Sequence, residues 1–161
     1  MPEDRAPEGP GDHAPAPLWP YALELYARPG VAALCLEAQD TLGADVPLLL
    51  WGAWAAARGH VLTDADMGAA RSLADRWRGP VIAPLRHARR ALKDLPGGEA
   101  LRQTVKAAEL EAERLYMAAL EALAGSWPAP SPCPTALRDN LARLLPPDAG
   151  LVTERLHKAL S

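Results

Sequence analysis

The chain of 161 residues contains no phenylalanine and only two cysteines, Cys35 and Cys133. Two thiols so differently placed give no ground for a disulfide framework. β-branched residues are few, and no stretch alternates apolar and polar residues at the strand period, which argues against a sheet. Also missing are GxSxG, the P-loop, GxGxxG and HExxH, so no hydrolase, nucleotide or zinc-protease signature is available to build on. No internal repeat is present. Charge is close to balanced at −3, which makes no global case for nucleic acid or an anionic membrane. The N-terminal MPEDRAPEGPGDHAPAP has no basic n-region and no apolar h-region, so it does not read as a secretory signal. The longest uncharged apolar run, Val46 to Ala57, falls well short of the roughly 20 residues needed to span a bilayer. A cytoplasmic location, with no membrane partner, is the expectation.

What the sequence does contain is leucine and alanine, within 49 % hydrophobic and 23 % charged residues. These two residues lose least on entering a helix. An all-α fold follows, a compact multi-helix bundle around a central apolar helix at about 45–59, DVPLLLWGAWAAARG. That helix is apolar on every face, as expected of a buried bundle centre. Residues 1–17 read as a disordered acidic, proline-rich tail, 18–125 as the helical bundle, 126–134 as a proline-rich linker, and 135–161 as two short helices. Whether the last two pack on the bundle or sit apart is open at this level.

Within the bundle, helices are expected from about Trp19, from Val31 to Leu42, over the central run, and from Thr63, where Thr63-x-x-Asp66 approximates a capping box. Gly79-Pro80 and Pro84 predict a break or sharp bend before a fifth helix that ends near Leu95. A long sixth helix runs from Glu99 to about Ala124. Leu101, Val105, Ala108, Ala112, Leu115, Ala119 and Ala122 give it three heptads, with alanines that suit close approach to the small residues of the central helix.

Most candidate reactive groups have plainer explanations. Glu154-x-x-His157 has di-iron spacing but occurs once, where such sites need two copies and further glutamates. Cys35 lies on the apolar face of its helix, as a buried hydrophobe does, and Cys133 has no basic neighbour. His60 follows a helix-ending glycine, where a cation suits the dipole. Asp45 is placed to cap the central helix. No cofactor or metal is expected.

Charge is unevenly distributed. Arg71, Arg76, Arg78, Arg86, Arg89, Arg90 and Lys93 face a single Asp75, making this segment +6 in a chain of −3. Arg86, Arg89, Arg90 and Lys93 recur at three and four and therefore share a helix face. One reading is a solvated face paired with acids such as Glu109 and Glu113. The other is a docking surface for an acidic protein partner, or for RNA phosphates. Absence of interleaved aromatics lowers the RNA case. The leading expectation is a non-enzymatic interaction or accessory factor that uses this basic face. An RNA- or ribosome-associated factor using the same patch is the second. A small-molecule enzyme with a site near Arg28, Asp40 and Asp45 is the third. Oligomeric state is left open.

The segment from Leu18 to Gly59 carries the pattern Leu18-Trp19, Ala22, Leu25-Tyr26, Pro29-Gly30-Val31, Cys35-Leu36, Gln39-Asp40, Gly43-Ala44-Asp45-Val46 and Leu48-Leu49. It resembles a bacterial family of small helical proteins labelled domain of unknown function 2390. The likeness continues more loosely through Trp77-Arg78 and Val81-x-x-Pro84-Leu85-Arg86, over roughly residues 18–120. It implies an all-helical protein and carries over no catalytic residue.

Overall fold

Glycine and proline set the boundaries of the helices. The computed structural model describes residues 16–161, so the expected tail lies outside the described residues except for Ala16 and Pro17. Among the described residues there are eight α-helices and no strand: α1 Leu18–Ala27, α2 Val31–Leu42, α3 Val46–Ala57, α4 Asp64–Trp77, α5 Ala83–Leu92, α6 Glu99–Ala122, α7 Ala136–Leu144 and α8 Gly150–Leu160. The all-α bundle expected from composition is what the chain forms. No described helix is long and apolar enough to cross a membrane.

At the end of α3, Gly59 adopts φ 70°. This left-handed turn lets its amide reach the carbonyl of Ala56, and the next amide, of His60, that of Ala55. These are the two bonds that satisfy carbonyls left over when a helix stops. Asp45 caps the other end by accepting from the Leu48 amide at 3.3 Å. Thr63 and Asp66 form the expected capping box at the start of α4. The ends of α3 are thus fixed by local sequence, and its position by burial.

Every residue of α3 from Leu48 to Ala55 is buried, with Leu49, Trp51, Trp54 and Ala55 at 0–1 % exposure. Burying a side chain of the size of Leu49 is worth roughly 1.5–3 kcal/mol, and the large side chains of this one helix sit at the centre of the core. Trp54, expected to be buried, also donates from Nε1 to the Ala16 carbonyl at 2.8 Å.

The principal partner of α3 differs from the one predicted. The alanines of α6 suggested α6, but α3 packs most extensively on α7. The reason is Gly52, where an added Cβ would fall 2.5 Å from Leu144 Cδ1. A missing side chain on α3 lets α7 approach, and Asn140 of α7, fully buried, supplies the polar fit. Its Nδ2 donates to the carbonyls of Gly52 and His60 at 3.0 Å each, and its Oδ1 accepts from the Leu62 amide at 2.8 Å. Helix α8 closes over α2, and Leu141, Leu145, Leu156 and Leu160 join the same core.

A second difference concerns Gly79-Pro80. The helical path does not break there. It continues from α4 into α5 through one π turn, Arg78–Ile82, in which the Ala83 amide bonds to the Arg78 carbonyl. A proline clashes with the carbonyl four residues back in a tight α-helix. The wider π turn relieves that conflict and is a feature often found beside functional sites.

The proline-rich stretch after α6 is seated on the bundle. Trp127 stacks on His60 with ring centroids 4.1 Å apart, and tilts against Trp51 and Trp54 at 5.9 and 5.8 Å. Further along, the Ser131 amide bonds to the Gly59 carbonyl at 3.2 Å. The His60 side chain is therefore not a dipole cap. It is buried, with Nε2 2.8 Å from Asp66 Oδ2, while Trp127 Nε1 donates to Asp66 Oδ1 at 2.9 Å. Only the His60 backbone amide serves the helix end.

Candidate functional site

Helix α5 buries no residue of its own. It lies along α6, where its arginines meet acids that α6 turns toward it. Glu109, 6 % exposed, accepts from Arg86 Nε at 2.9 Å and from Arg89 through both Nε and Nη2. Arg86 Nη2 also donates to Glu113 Oε1 at 2.9 Å. Burial pushes the Glu109 carboxyl up, but the hydrogen bonds and charges of Arg89 and Arg86 overcome it and hold the group below its usual range. At Glu113 burial wins over the same arginines, and its carboxyl lies above its usual range.

The structure thus divides the four basic residues singled out from the sequence. Arg86 and Arg89 are tied inward and fasten α5 to α6. Arg90 and Lys93 are exposed and form no ion pair among the described residues. The paired-face reading therefore holds for Arg86 and Arg89, while Arg90 and Lys93 face solvent.

A groove of about 270 Å³ runs beside this face, bounded by α1 and α2 on one side, α5 on the other, and α6 with the first turns of α3 beneath. Arg86, Arg89 and Arg90 line one edge of it. Leu23, Leu36 and Leu110 also line it, and remain 51, 47 and 53 % exposed, while Glu109 and Glu113 line it beside the arginines. Three separated helices thus bring three exposed leucines together. Trp19 and Tyr26, half-buried on α1, line the groove as well. No spacing rule along the sequence links residues 19–36 to residue 110, so this grouping was missed there. Their exposure gives no periodic signal either, because each sits at the edge of its helix's apolar stripe.

At the end of the groove nearest the π turn, a second cleft of about 300 Å³ shares Gln39, Val46, Pro47, Arg86 and Glu113 with it. Asp45 forms its inner wall. Besides capping α3, the Asp45 carboxylate accepts from Tyr116 Oη at 2.8 Å and pairs with Arg78 Nε at 3.3 Å. Burial pushes its carboxyl above the usual value, more than Arg78, Tyr116 and the Leu48 amide pull it down. Burial, together with the neighbouring Asp45 charge, also drives the Tyr116 hydroxyl far above its ordinary 10.

The expected grouping of Arg28, Asp40 and Asp45 does not form. Arg28 lines a different cleft, beside Tyr21 and His157, and Asp40 is an exposed residue on α2. The companions of Asp45 are Tyr116 and Arg78, brought from α6 and the π turn. Cys35 is fully buried, and burial raises its thiol to about 11, as befits a core residue. Among the described residues, no group of three or more His, Cys, Asp or Glu is arranged to hold a metal ion.

No curated protein and no solved structure shows significant similarity to the chain. A family model matches residues 17–120, which include α1 to α5, nearly all of α6, and every residue that lines the groove. The chain belongs to the family described as "Protein of unknown function (DUF2390)".

Proposed function

We propose that this protein is a non-enzymatic, cytoplasmic interaction factor that contacts an acidic protein partner through the outer face of α5. The observation that carries this reading is the pair Arg90 and Lys93, solvent-facing beside a groove with three exposed leucines. Apolar patches rimmed by charge are characteristic of interaction sites. Asp45, the buried acid in the adjoining cleft, already serves the Leu48 amide, Tyr116 and Arg78, which suits a structural tie better than a general base.

The test uses Arg90→Glu with Lys93→Glu and leaves Arg86 and Arg89 intact. Reversing the latter would strand Glu109, and breaking a buried pair costs about 3–5 kcal/mol. The double variant should melt as the wild type does and lose its partner in affinity purification from the native host. An unchanged partner set would refute the reading.

Association with RNA through the same face gains support from Trp19 and Tyr26, which fold beside Arg86, Arg89 and Arg90. Nuclease treatment before purification separates the two readings. A partner that disappears with nuclease, and whose retention falls steeply as salt rises, would favour RNA.

A further inference from the structure

We propose that the groove between α1 and α5 is the seat of an amphipathic helix with an acidic edge, supplied by the partner protein. This rests on the interaction reading above and names what the partner presents. The groove is an open trough lined by residues of α1, α2, α3, α5 and α6. At about 270 Å³ it falls just below the roughly 300–1,000 Å³ of sites that enclose small ligands. That volume suits the insertion of a few apolar side chains while the rest of the inserted segment stays outside.

The chemistry of the walls is asymmetric. Leu23 on α1 and Leu36 on α2 form an apolar wall, Leu110 and Met117 of α6 the floor, and Arg89 and Arg90 of α5 the opposite rim. Met117 is buried while Leu110 is half open, so the floor continues the core outward. Arg89 is held by Glu109, so its position on the rim is fixed before anything binds. Arg90, without a carboxylate among the described residues, is the cation left for an incoming acid.

A helix satisfies these walls when apolar residues recur at i, i+3 or i+4, and i+7, with Asp or Glu on the flank that faces α5. An extended strand gains no backbone pairing there, because the groove is bordered by helices whose backbone groups are already bonded. The chain's own residues 1–15 are acidic but hold no leucine, isoleucine, valine or aromatic residue to fill the trough.

The test is selection from a phage-displayed library of peptides about 16 residues long, enough for about four helical turns, on the full-length protein. The expected result is a family of binders with that apolar spacing and an acidic flank. Their dissociation constant should rise by about thirtyfold or more, the size of an interface hot spot, with Leu23→Asp plus Leu110→Asp. It should rise comparably with Arg90→Glu plus Lys93→Glu. All four positions are exposed, and circular dichroism melts of both variants verify that the fold is kept.

Failure to enrich any such family, or enrichment that survives the leucine substitutions, overturns the groove assignment. Acidic binders that need Arg90 and Lys93 but ignore the leucines overturn it too, while leaving the basic-face reading standing. Binders that need the leucines and ignore the reversed charges overturn the acidic edge and the basic-face reading together. Binding of an oligouridine or dodecanoate probe that is abolished by the leucine pair, without peptide enrichment, would give the groove to RNA or to an amphiphilic acid instead.

Discussion

Asp45 shows how one carboxylate serves two helices and what that costs. It caps α3, receives the Tyr116 hydroxyl from α6, and lies 3.3 Å from Arg78 of the π turn. Its folded carboxyl titrates above the ordinary 3.8 because desolvation outweighs those partners. The native state therefore binds this proton more tightly than the unfolded chain does. Stability falls as pH rises from below 3.8 through the folded value, since stability increases with pH only where the unfolded state holds more protons. Asp45→Asn keeps an oxygen to accept from the Leu48 amide or from Tyr116, and has no charge to desolvate. The stability of this variant relative to wild type should therefore improve as pH is raised from about 3 to about 7, as measured by urea unfolding. A relative stability that stays flat or worsens over that range would show that Arg78 and Tyr116 fully compensate the burial of Asp45.

Helix α6 shows what a sequence pattern conveys about an element and where it stops. The heptad positions Leu101, Ala108, Leu115 and Ala122 share one line along the helix. Here that whole line lies outside the core from its first residue, with Leu101 and Leu115 56 and 42 % exposed. The buried face is instead Glu109, Ala112, Tyr116, Met117 and Leu120. Leu120→Ala should cost about 2–5 kcal/mol, as for a fully buried leucine, and Leu115→Ala less than about half of that. Equal losses in thermal unfolding would restore the heptad register. The same slip hid Tyr116, and with it the role of Asp45 beyond capping.

What was legible along the chain was local. Glycine at positive φ, the Asp45 cap, the Thr63 box and the buried Cys35 each depend on a few neighbours. The α5–α6 ion pairs were legible too, because helical spacing restricts which acids Arg86 and Arg89 can meet. The meeting of Leu23, Leu36 and Leu110, the packing of α7 at Gly52, and the stack of Trp127 on His60 depend on how helices cross, and no periodicity encodes that.

At the scale of the molecule, the family match ends at residue 120 while the core does not. Leu141, Leu145, Leu156 and Leu160 are each at most 5 % exposed, and Asn140 bonds three backbone groups next to α3. Four buried leucines at about 1.5–3 kcal/mol each rival the whole net stability of a domain, about 5–15 kcal/mol. A chain ending at Ser126 would also lose the Trp127 stack and leave the Leu62 amide without its acceptor. It should keep much of its far-ultraviolet helical signal, lose near-ultraviolet signal from Trp51 and Trp54, bind a hydrophobic dye, and melt without a cooperative transition. Asn140→Leu in the full chain separates bonding from coverage. It keeps α7 over Gly52 while removing the polar fit, and should lower stability by about 1–3 kcal/mol per backbone group left unpaired with a sigmoidal melt retained. A truncated chain that melts cooperatively at the wild-type temperature would make residues 18–125 a domain in their own right and α7 and α8 an appendage. The expected loss of cooperativity would make the whole described chain one folding unit, in which the residues beyond the family match hold α3 in place beneath the groove.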